Sequence, residues 1–166
     1  GTGVDALSLF VSAKIDDPTY NGILVEYSDD INNTNQAYRL LVHDSVNLLK
    51  FAAKGTTIRN ASSSIASYPE TRLATAVTDI SDDYVRFYKN GTLEASNTND
   101  LGFGNFSGDK ELNIGCRDAN TNLTGSNALG FKGYIYQIVG VGTKMTDTND
   151  LGTINTAVAA KAGLTV

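Results

Sequence analysis

Apolar and polar residues alternate over short stretches along most of this 166-residue chain, and clusters of turn-forming residues separate the stretches. Alternation with a period of two is typical of β-strands that have one face on a core. It predicts strands at Leu7–Lys14, Gly22–Tyr27, Ala37–His43, Val46–Ala53, Arg72–Thr78, Tyr84–Lys89, Thr92–Ser96, Glu111–Cys116 and Phe131–Val141. Many short strands between segments rich in Asn, Asp, Ser, Thr and Gly favour an all-β, antiparallel sandwich or jelly roll.

One pair of strands carries a specific turn signal. Asn90-Gly91 lies between two alternating runs, and a type I′ turn needs the positive φ that both residues tolerate. The two-residue loop predicts that Tyr88 faces Leu93 and that Phe87 faces Glu94. One face of the hairpin then carries Tyr84, Arg86, Tyr88 and Leu93, and the other carries Val85 and Phe87.

A single short helix is predicted near the C-terminal end, in the stretch TNDLGTINTAVAAKAG. Thr148 or Asn149 can cap its start, and Gly163 can end it in a left-handed conformation. The apolar residues at helical spacing are Leu151, Ile154 and Val158. They form one narrow stripe, so we expect the helix to pack onto the sandwich by that stripe.

Composition excludes several classes of function. The length predicts a single β-sandwich domain over residues 1–166. Hydrophobic residues make up 41% of the chain and charged residues 19%, which is typical of a globular protein. The net charge of −5 and the pI of about 4.7 disfavour nucleic acid or an anionic membrane as partner. Cys116 is the only cysteine, which excludes an intrachain disulfide and a cysteine metal cluster, and we expect it to be buried. No apolar run approaches the ~20 residues that span a bilayer.

Four stretches in a fixed order resemble a known family. They are TRLATAVTDISDDYVRFYKNGTLEAS, then ELNIGC, then FKGYIYQIVGVGTKMT, and finally the helix that ends AAKAGL. Together they resemble the laminin G-like, concanavalin A-like jelly roll in its bacterial and phage-associated form. The resemblance implies a β-sandwich with one closing helix and a place on the surface of a virion, as a head decoration, head fibre or tail-fibre component. It also implies binding to a glycan or a host surface.

Catalytic constellations are missing from the sequence. Retaining glycosidases need two carboxylates about 5 Å apart, and no Glu-x-Asp-x-Glu strand is present. Glu26 ends a predicted strand, but the next acidic residues lie in the following turn. His43 is the only histidine, and no Gly-x-Ser-x-Gly elbow accompanies it. These absences predict a protein that is not an enzyme and requires no cofactor.

Two loops hold the densest polar groups and are the predicted ligand sites. The first, Ser28–Gln36, offers Asp29, Asp30, Asn32, Asn33 and Asn35, and the second, Arg117–Gly130, offers Arg117, Asp118, Asn120 and Asn122. Such groups suit the hydroxyls of a sugar, and Arg117 could take a carboxylate. Calcium at Asp29, Asp30 or Asp118 is a candidate, although turn formation accounts for the same residues. The hairpin face with Tyr84, Arg86 and Tyr88 is the alternative site.

Three roles remain open at this stage. The first is the glycan-binding virion module, located on the virion surface or outside a cell. The second is a purely structural virion protein that binds neighbouring subunits, including further copies of itself. The third is a carbohydrate-binding appendage of a secreted enzyme that degrades polysaccharides.

Overall fold

The computed structural model describes residues 3–16, 21–28, 31–43, 47–106, 110–116, 129–145 and 148–166. Within these residues the elements follow in the order β1 Ala6–Ile15, β2 Gly22–Tyr27, β3 Ala37–His43, β4 Leu48–Lys54, β5 Ile58–Ser64, β6 Glu70–Asp79, β7 Tyr84–Lys89, β8 Thr92–Asn97, β9 Leu112–Ile114, β10 Gly133–Val141 and α1 Thr148–Ala160. The predicted all-β class with one C-terminal helix is confirmed.

The strands form two five-stranded antiparallel sheets. The front sheet has the order β10-β1-β6-β7-β8, and the back sheet has the order β5-β4-β3-β2-β9. Strands distant in sequence are neighbours in the front sheet, where β1 pairs with both β6 and β10. This arrangement is an antiparallel β-sandwich of the jelly-roll type.

The main core lies between the two sheets, and strands such as β1 contribute every second residue to it. Leu9 and Val11 of β1 face Leu40 and Phe51 of the back sheet, all of them buried. An aromatic group closes one end of this core around Tyr38. The Tyr38 ring stacks on Tyr27 at 5.4 Å, and Phe106 meets it edge-on at 5.7 Å. Burial, with a smaller effect of Tyr27, raises the pKa of Tyr38 to about 12.

Helix α1 covers part of the outer surface of the front sheet. Its buried residues Leu151 and Val158 pack against Phe10, Leu73 and Val77 of β1 and β6, as the apolar stripe predicted. The amide N–H of Leu164 donates to the carbonyl of Ala159, and that of Gly163 donates to Ala160. With φ of +70° at Gly163, these bonds form a Schellman C-cap, so the predicted end of the helix is confirmed.

The β7–β8 hairpin has the predicted turn but not the full predicted register. Asn90 and Gly91 both have positive φ, at 49° and 80°, and Tyr88 faces Leu93. The prediction that Phe87 faces Glu94 is wrong, because the register shifts between Phe87 and Tyr88, and Phe87 faces Ala95. The bulge places a small apolar residue opposite Phe87 and leaves Glu94 exposed, which avoids burying a carboxylate.

Other boundaries differ from the predictions for local reasons. Strand β5 was not predicted, because IRNASSS is mostly polar and lies at the edge of the back sheet. Strand β9 stops at Ile114, since Gly115 takes a φ of +76°. Strand β10 begins at Gly133, where a β-carbon would lie 1.9 Å from the carbonyl oxygen of Lys14. Cys116 is half-buried, and not fully buried as expected.

Candidate functional site

The first predicted loop is anchored firmly to the back sheet. The Glu26 carboxylate is fully buried and accepts hydrogen bonds from the Ser28 hydroxyl at 2.8 Å and the Ile31 amide at 3.1 Å. The Lys54 ammonium donates to the carbonyls of Ile31 and Asn32, at 3.1 and 2.9 Å. These bonds hold the buried Ile31 against the sheet. The Glu26 carboxylate therefore positions the loop and is not accessible to a substrate.

The loop residues proposed as ligands are only partly described. Residues Asn32, Asn33 and Asn35 are exposed, as a binding loop requires. The remaining predicted site residues, Asp29, Asp30, Arg117, Asp118, Asn120 and Asn122, lie outside the described residues, as does the side chain of His43. That the ligand site lies on these two loops stays a prediction. Calcium binding also stays a prediction, because its three candidate ligands, Asp29, Asp30 and Asp118, lie outside the described residues. The described residues contain no cluster of three or more Asp, Glu, His or Cys that could hold a metal ion.

A groove lies between helix α1 and the β7–β8 hairpin, on the outer surface of the front sheet. Its volume is about 440 Å³. The residues that line it are Arg86, Tyr88, Asn90, Gly91, Thr92, Leu151, Gly152, Asn155, Thr156 and Val166. The size is that of a small-molecule site, and the lining combines polar side chains with one aromatic ring and with the apolar Leu151 and Val166.

The hairpin wall of the groove is fixed by its turn. The amide N–H of Asn90 donates to the carbonyl of Leu73 at 2.9 Å. In the opposite sense, the Leu73 amide donates to the Asn90 side-chain oxygen, also at 2.9 Å. The turn is thus attached to β6 through both main chain and side chain, which makes this wall rigid.

The helical wall is fixed by a buried polar contact. The Thr75 hydroxyl of β6 donates to the Asn155 side-chain oxygen at 2.6 Å, and Asn155 is only 5% exposed. Because that oxygen is bound, the amide nitrogen is the end of the side chain left to face the turn. It lies 3.9 Å from the position that a β-carbon on Gly91 would occupy. Gly152 leaves open space beside it, since a β-carbon there meets nothing within 4 Å.

Arg86 is the charged side chain of the groove. Its guanidinium lies over the Tyr84 ring, 4.7 Å from the centroid. The Nε atom of Arg86 is buried, and it has no hydrogen-bond acceptor in the described part of the chain. Lys144 also lies over Tyr84, at 5.3 Å, but it forms ion pairs with Asp79 and Asp82. Arg86 has no such carboxylate among the described residues.

The pKa of Tyr84, beside Arg86, depends on its burial and on its neighbour Tyr88. Burial raises the pKa of Tyr84, and a hydrogen bond with Tyr88 raises it further, although Arg86 and Lys144 act in the opposite direction. The Tyr84 hydroxyl is therefore protonated at neutral pH. The Tyr84 ring is a neutral aromatic surface under the guanidinium, and its face attracts the cation and holds it in place.

The sequence identified only half of this site. Period-two alternation placed Tyr84, Arg86 and Tyr88 on one face, and the structure brings Arg86 and Tyr88 into the groove. The helical wall was missed. A signal existed in Gly152 and Asn155, two residues that weaken a helix interior and therefore suggest another role.

No helix in the described part of the chain is both long enough and apolar enough to cross a membrane.

No protein-family model and no curated protein sequence matches the chain. Solved structures do match it. A native heptameric SAP-like pentraxin from Limulus polyphemus shares 16% identity with a TM-score of 0.69, over 93% of this chain and 71% of that one. The CBM40 of the Ruminococcus gnavus IT-sialidase, bound to alpha2,3 sialyllactose, shares 12% identity with a TM-score of 0.67, over 92% and 84%.

A third similar structure is much longer than this chain. The NanB sialidase from Streptococcus pneumoniae shares 16% identity with a TM-score of 0.69, and the match covers 91% of this chain and 24% of the sialidase. At these identities the likeness establishes the fold alone. The chain has a jelly-roll β-sandwich fold, as the resemblance of its sequence implied.

Proposed function

We propose that this protein is a non-catalytic glycan-binding module and that the glycan binds in the groove between α1 and the β7–β8 hairpin. The observation that carries the proposal is the composition of the groove. Amide, hydroxyl and guanidinium groups surround the Tyr88 ring in a space of about 440 Å³. Sugars present hydroxyls at their edges and C–H groups at their faces, so polar donors beside an aromatic ring suit them.

The similar structures support the proposal without carrying it. One of them is named as a carbohydrate-binding module and is bound to sialyllactose. The same jelly roll hosts many functions, so the residues of the groove and not the fold decide the case. The buried, hydrogen-bonded state of Glu26 supports the non-catalytic part, because the one strand carboxylate considered for acid–base chemistry is engaged in holding a loop.

The biological setting we propose is the surface of a virion, where the module serves as a head decoration, head fibre or tail-fibre component. The basis is the resemblance of the sequence to phage-associated jelly rolls. A purely structural virion protein is the first alternative. The second is an appendage of a secreted enzyme, and a specific observation favours it: the match to NanB covers only 24% of that sialidase.

Binding can be tested by filling the groove from the helix. Gly152 is exposed, and a β-carbon there would meet nothing within 4 Å, so Gly152→Phe should extend a ring into the groove. Gly152→Ala is the control, because it also replaces glycine by a better helix former but adds a single carbon. We expect wild type and Gly152→Ala to bind the same glycans on an array. Gly152→Phe should bind them about ten-fold more weakly or worse, which corresponds to about 1.4 kcal/mol.

Other outcomes would point to the alternatives. Binding that survives Gly152→Phe but is lost in an Asp30→Ala, Arg117→Ala double variant would move the site to the predicted loops. An array without any binding, together with failure of the double variant to join its particle, would favour the structural role.

The non-catalytic part has its own test. The purified chain is incubated with neutral and acidic polysaccharides, and the release of reducing ends is measured. We expect no release above the buffer blank. Turnover that disappears in Glu26→Gln would contradict the proposal.

A further inference from the structure

We infer that the groove is selective for sugars that carry an anionic group and that Arg86 recognises that group. The inference rests on the proposed function and adds the class of ligand. It starts from the charges of the groove, whose lining includes one cationic side chain and no acidic one. In a chain with a net charge of −5, such a place attracts an anion more strongly than its surroundings do.

The partners of other cations show why Arg86 stands apart. On the same sheet, Lys14 pairs with Asp16 at 2.8 Å, and Arg72 and Lys89 share Glu70 at 2.5 and 2.9 Å. Lys144, the cation nearest to Arg86 over the Tyr84 ring, pairs with two aspartates. These other cations each contact a carboxylate. Among the described residues, the guanidinium of Arg86 contacts the aromatic ring of Tyr84 instead.

The position of Arg86 prepares it for an incoming anion. The Tyr84 ring restrains the guanidinium plane, so less freedom is lost when a ligand binds. The Nε atom is buried and lacks an acceptor among the described residues, so part of the guanidinium has already lost its hydration in the free protein. A carboxylate or sulfate can accept two N–H bonds from the terminal Nη1 and Nη2 groups of an arginine.

The neutral groups around Arg86 suit the rest of a sugar. The amide of Asn155 is oriented by its bond to Thr75, and its nitrogen faces the turn. Thr92 and Thr156 are exposed on opposite walls. The Thr156 hydroxyl donates to the carbonyl of Gly152 at 2.9 Å, so toward a ligand it can act as an acceptor. One cation with several neutral donors and acceptors matches a sugar that has one anionic substituent. It does not match a polyanion, which would need a row of cations.

The test uses matched ligands that differ only in charge. Titration calorimetry compares galacturonate with its methyl ester for the carboxylate, and galactose 6-sulfate with galactose for the sulfate, so that each anionic ligand carries a single anionic group. We expect wild type to bind at least one anionic ligand about ten-fold more tightly than its neutral parent. Arg86→Gln should remove that difference, so that the variant binds the anionic ligand no more tightly than its neutral parent. The ligand pair that shows the difference identifies the anion.

Two further variants keep the result interpretable. Lys144→Gln removes a nearby cation that already has carboxylate partners, and it should keep the preference for the anionic ligand. Arg86→Lys keeps the charge but loses the fork, and an intermediate preference would support bidentate recognition. Circular dichroism and the melting temperature of each variant show that it is folded.

Failure of this inference can be told apart from failure of the proposed function. If Gly152→Phe abolishes binding while Arg86→Gln keeps the full preference for the anion, the groove binds glycans without this selectivity and the inference is wrong. If wild type binds each neutral parent as tightly as its anionic counterpart, the inference is also wrong. If Gly152→Phe changes no binding at all, both the inference and the proposed site are wrong.

Discussion

The sharpest prediction about stability concerns a buried ion pair between the two sheets. Arg72 is fully buried, and its Nε donates to a carboxylate oxygen of Glu70 at 3.0 Å. Nη2 lies 2.5 Å from the same oxygen and donates to the carbonyl of Ser64 at 2.9 Å. The Lys89 ammonium is 2.9 Å from that oxygen as well. One carboxylate thus neutralises two cations, one of which has no contact with water.

Glu70→Gln keeps the shape of the side chain and removes its charge. Removing one partner of a buried pair costs about 3–5 kcal/mol, because it leaves a buried charge uncompensated. The Glu70 side chain is 15% exposed and Lys89 is 27% exposed, so water screens part of the effect and we take the lower end, about 3 kcal/mol. For a domain of this size, about 2–4 °C per kcal/mol gives a melting temperature lower by about 6–12 °C.

The assay is thermal and urea unfolding at pH 7, followed by circular dichroism. Glu94→Gln is the control, since Glu94 is exposed and, among the described residues, accepts one hydrogen bond, from the Ser63 hydroxyl at 3.2 Å. Its substitution should change the free energy of unfolding by less than about 0.5 kcal/mol. A loss in Glu70→Gln no larger than that of the control would refute the reasoning.

The same pair makes stability depend on pH. Burial alone would raise the pKa of Glu70, but the hydrogen bonds and charges of Arg72 and Lys89 outweigh it, so the pKa in the folded protein is below the ordinary value of 4.5. A group with a lowered folded pKa stabilises the protein above its unfolded pKa, and this contribution is lost as the pH falls through the folded pKa. The stability difference between wild type and Glu70→Gln should therefore narrow below pH 4.5.

Two further predictions concern the turn and the aromatic core. Gly91→Val should destabilise the protein by about 1–2 kcal/mol through backbone strain alone, because φ is +80° and a β-carbon would meet nothing closer than 3.8 Å. Gly91→Asn should cost less. A melting temperature of Gly91→Val equal to that of wild type would contradict the type I′ turn. In an absorbance titration one tyrosine should ionise near pH 12, and the signal should be absent in Tyr38→Phe; its persistence in that variant would assign it to another residue.

Local sequence patterns determined most of the strands. Three predicted strands, Gly22–Tyr27, Ala37–His43 and Tyr84–Lys89, have the bounds found in the structure. In each of them apolar residues recur at the core-facing positions and turn-forming residues flank the ends, so local chemistry specifies both the element and its limits. The resemblance of the longer stretches to a known family then indicated a jelly-roll sandwich with one C-terminal helix, which the structure confirms.

Failures occurred where tertiary contacts override local pattern. Strand β5 has the sequence of a polar turn, and it is a strand because it pairs with β4 from Leu48 to Lys54. The register error at Phe87 has a similar origin. A regular two-residue hairpin would place the carboxylate of Glu94 against the core, and the bulge that prevents this depends on what the sheet packs against.

The groove exposes the limit of sequence reasoning most clearly. Alternation alone could place Arg86 on the face opposite Val85 and Phe87, and burial of those two residues decided that this face points outward. Whether it met water, another sheet or a ligand depended on how much of the front sheet α1 covers. The helix rests on Phe10, Leu73 and Val77, and its side toward β7 is held by Asn155 through a bond to a residue 80 positions away. The narrow apolar stripe of the helix leaves β7 outside the covered area, so the same stripe that docks the helix also creates the space beside Arg86.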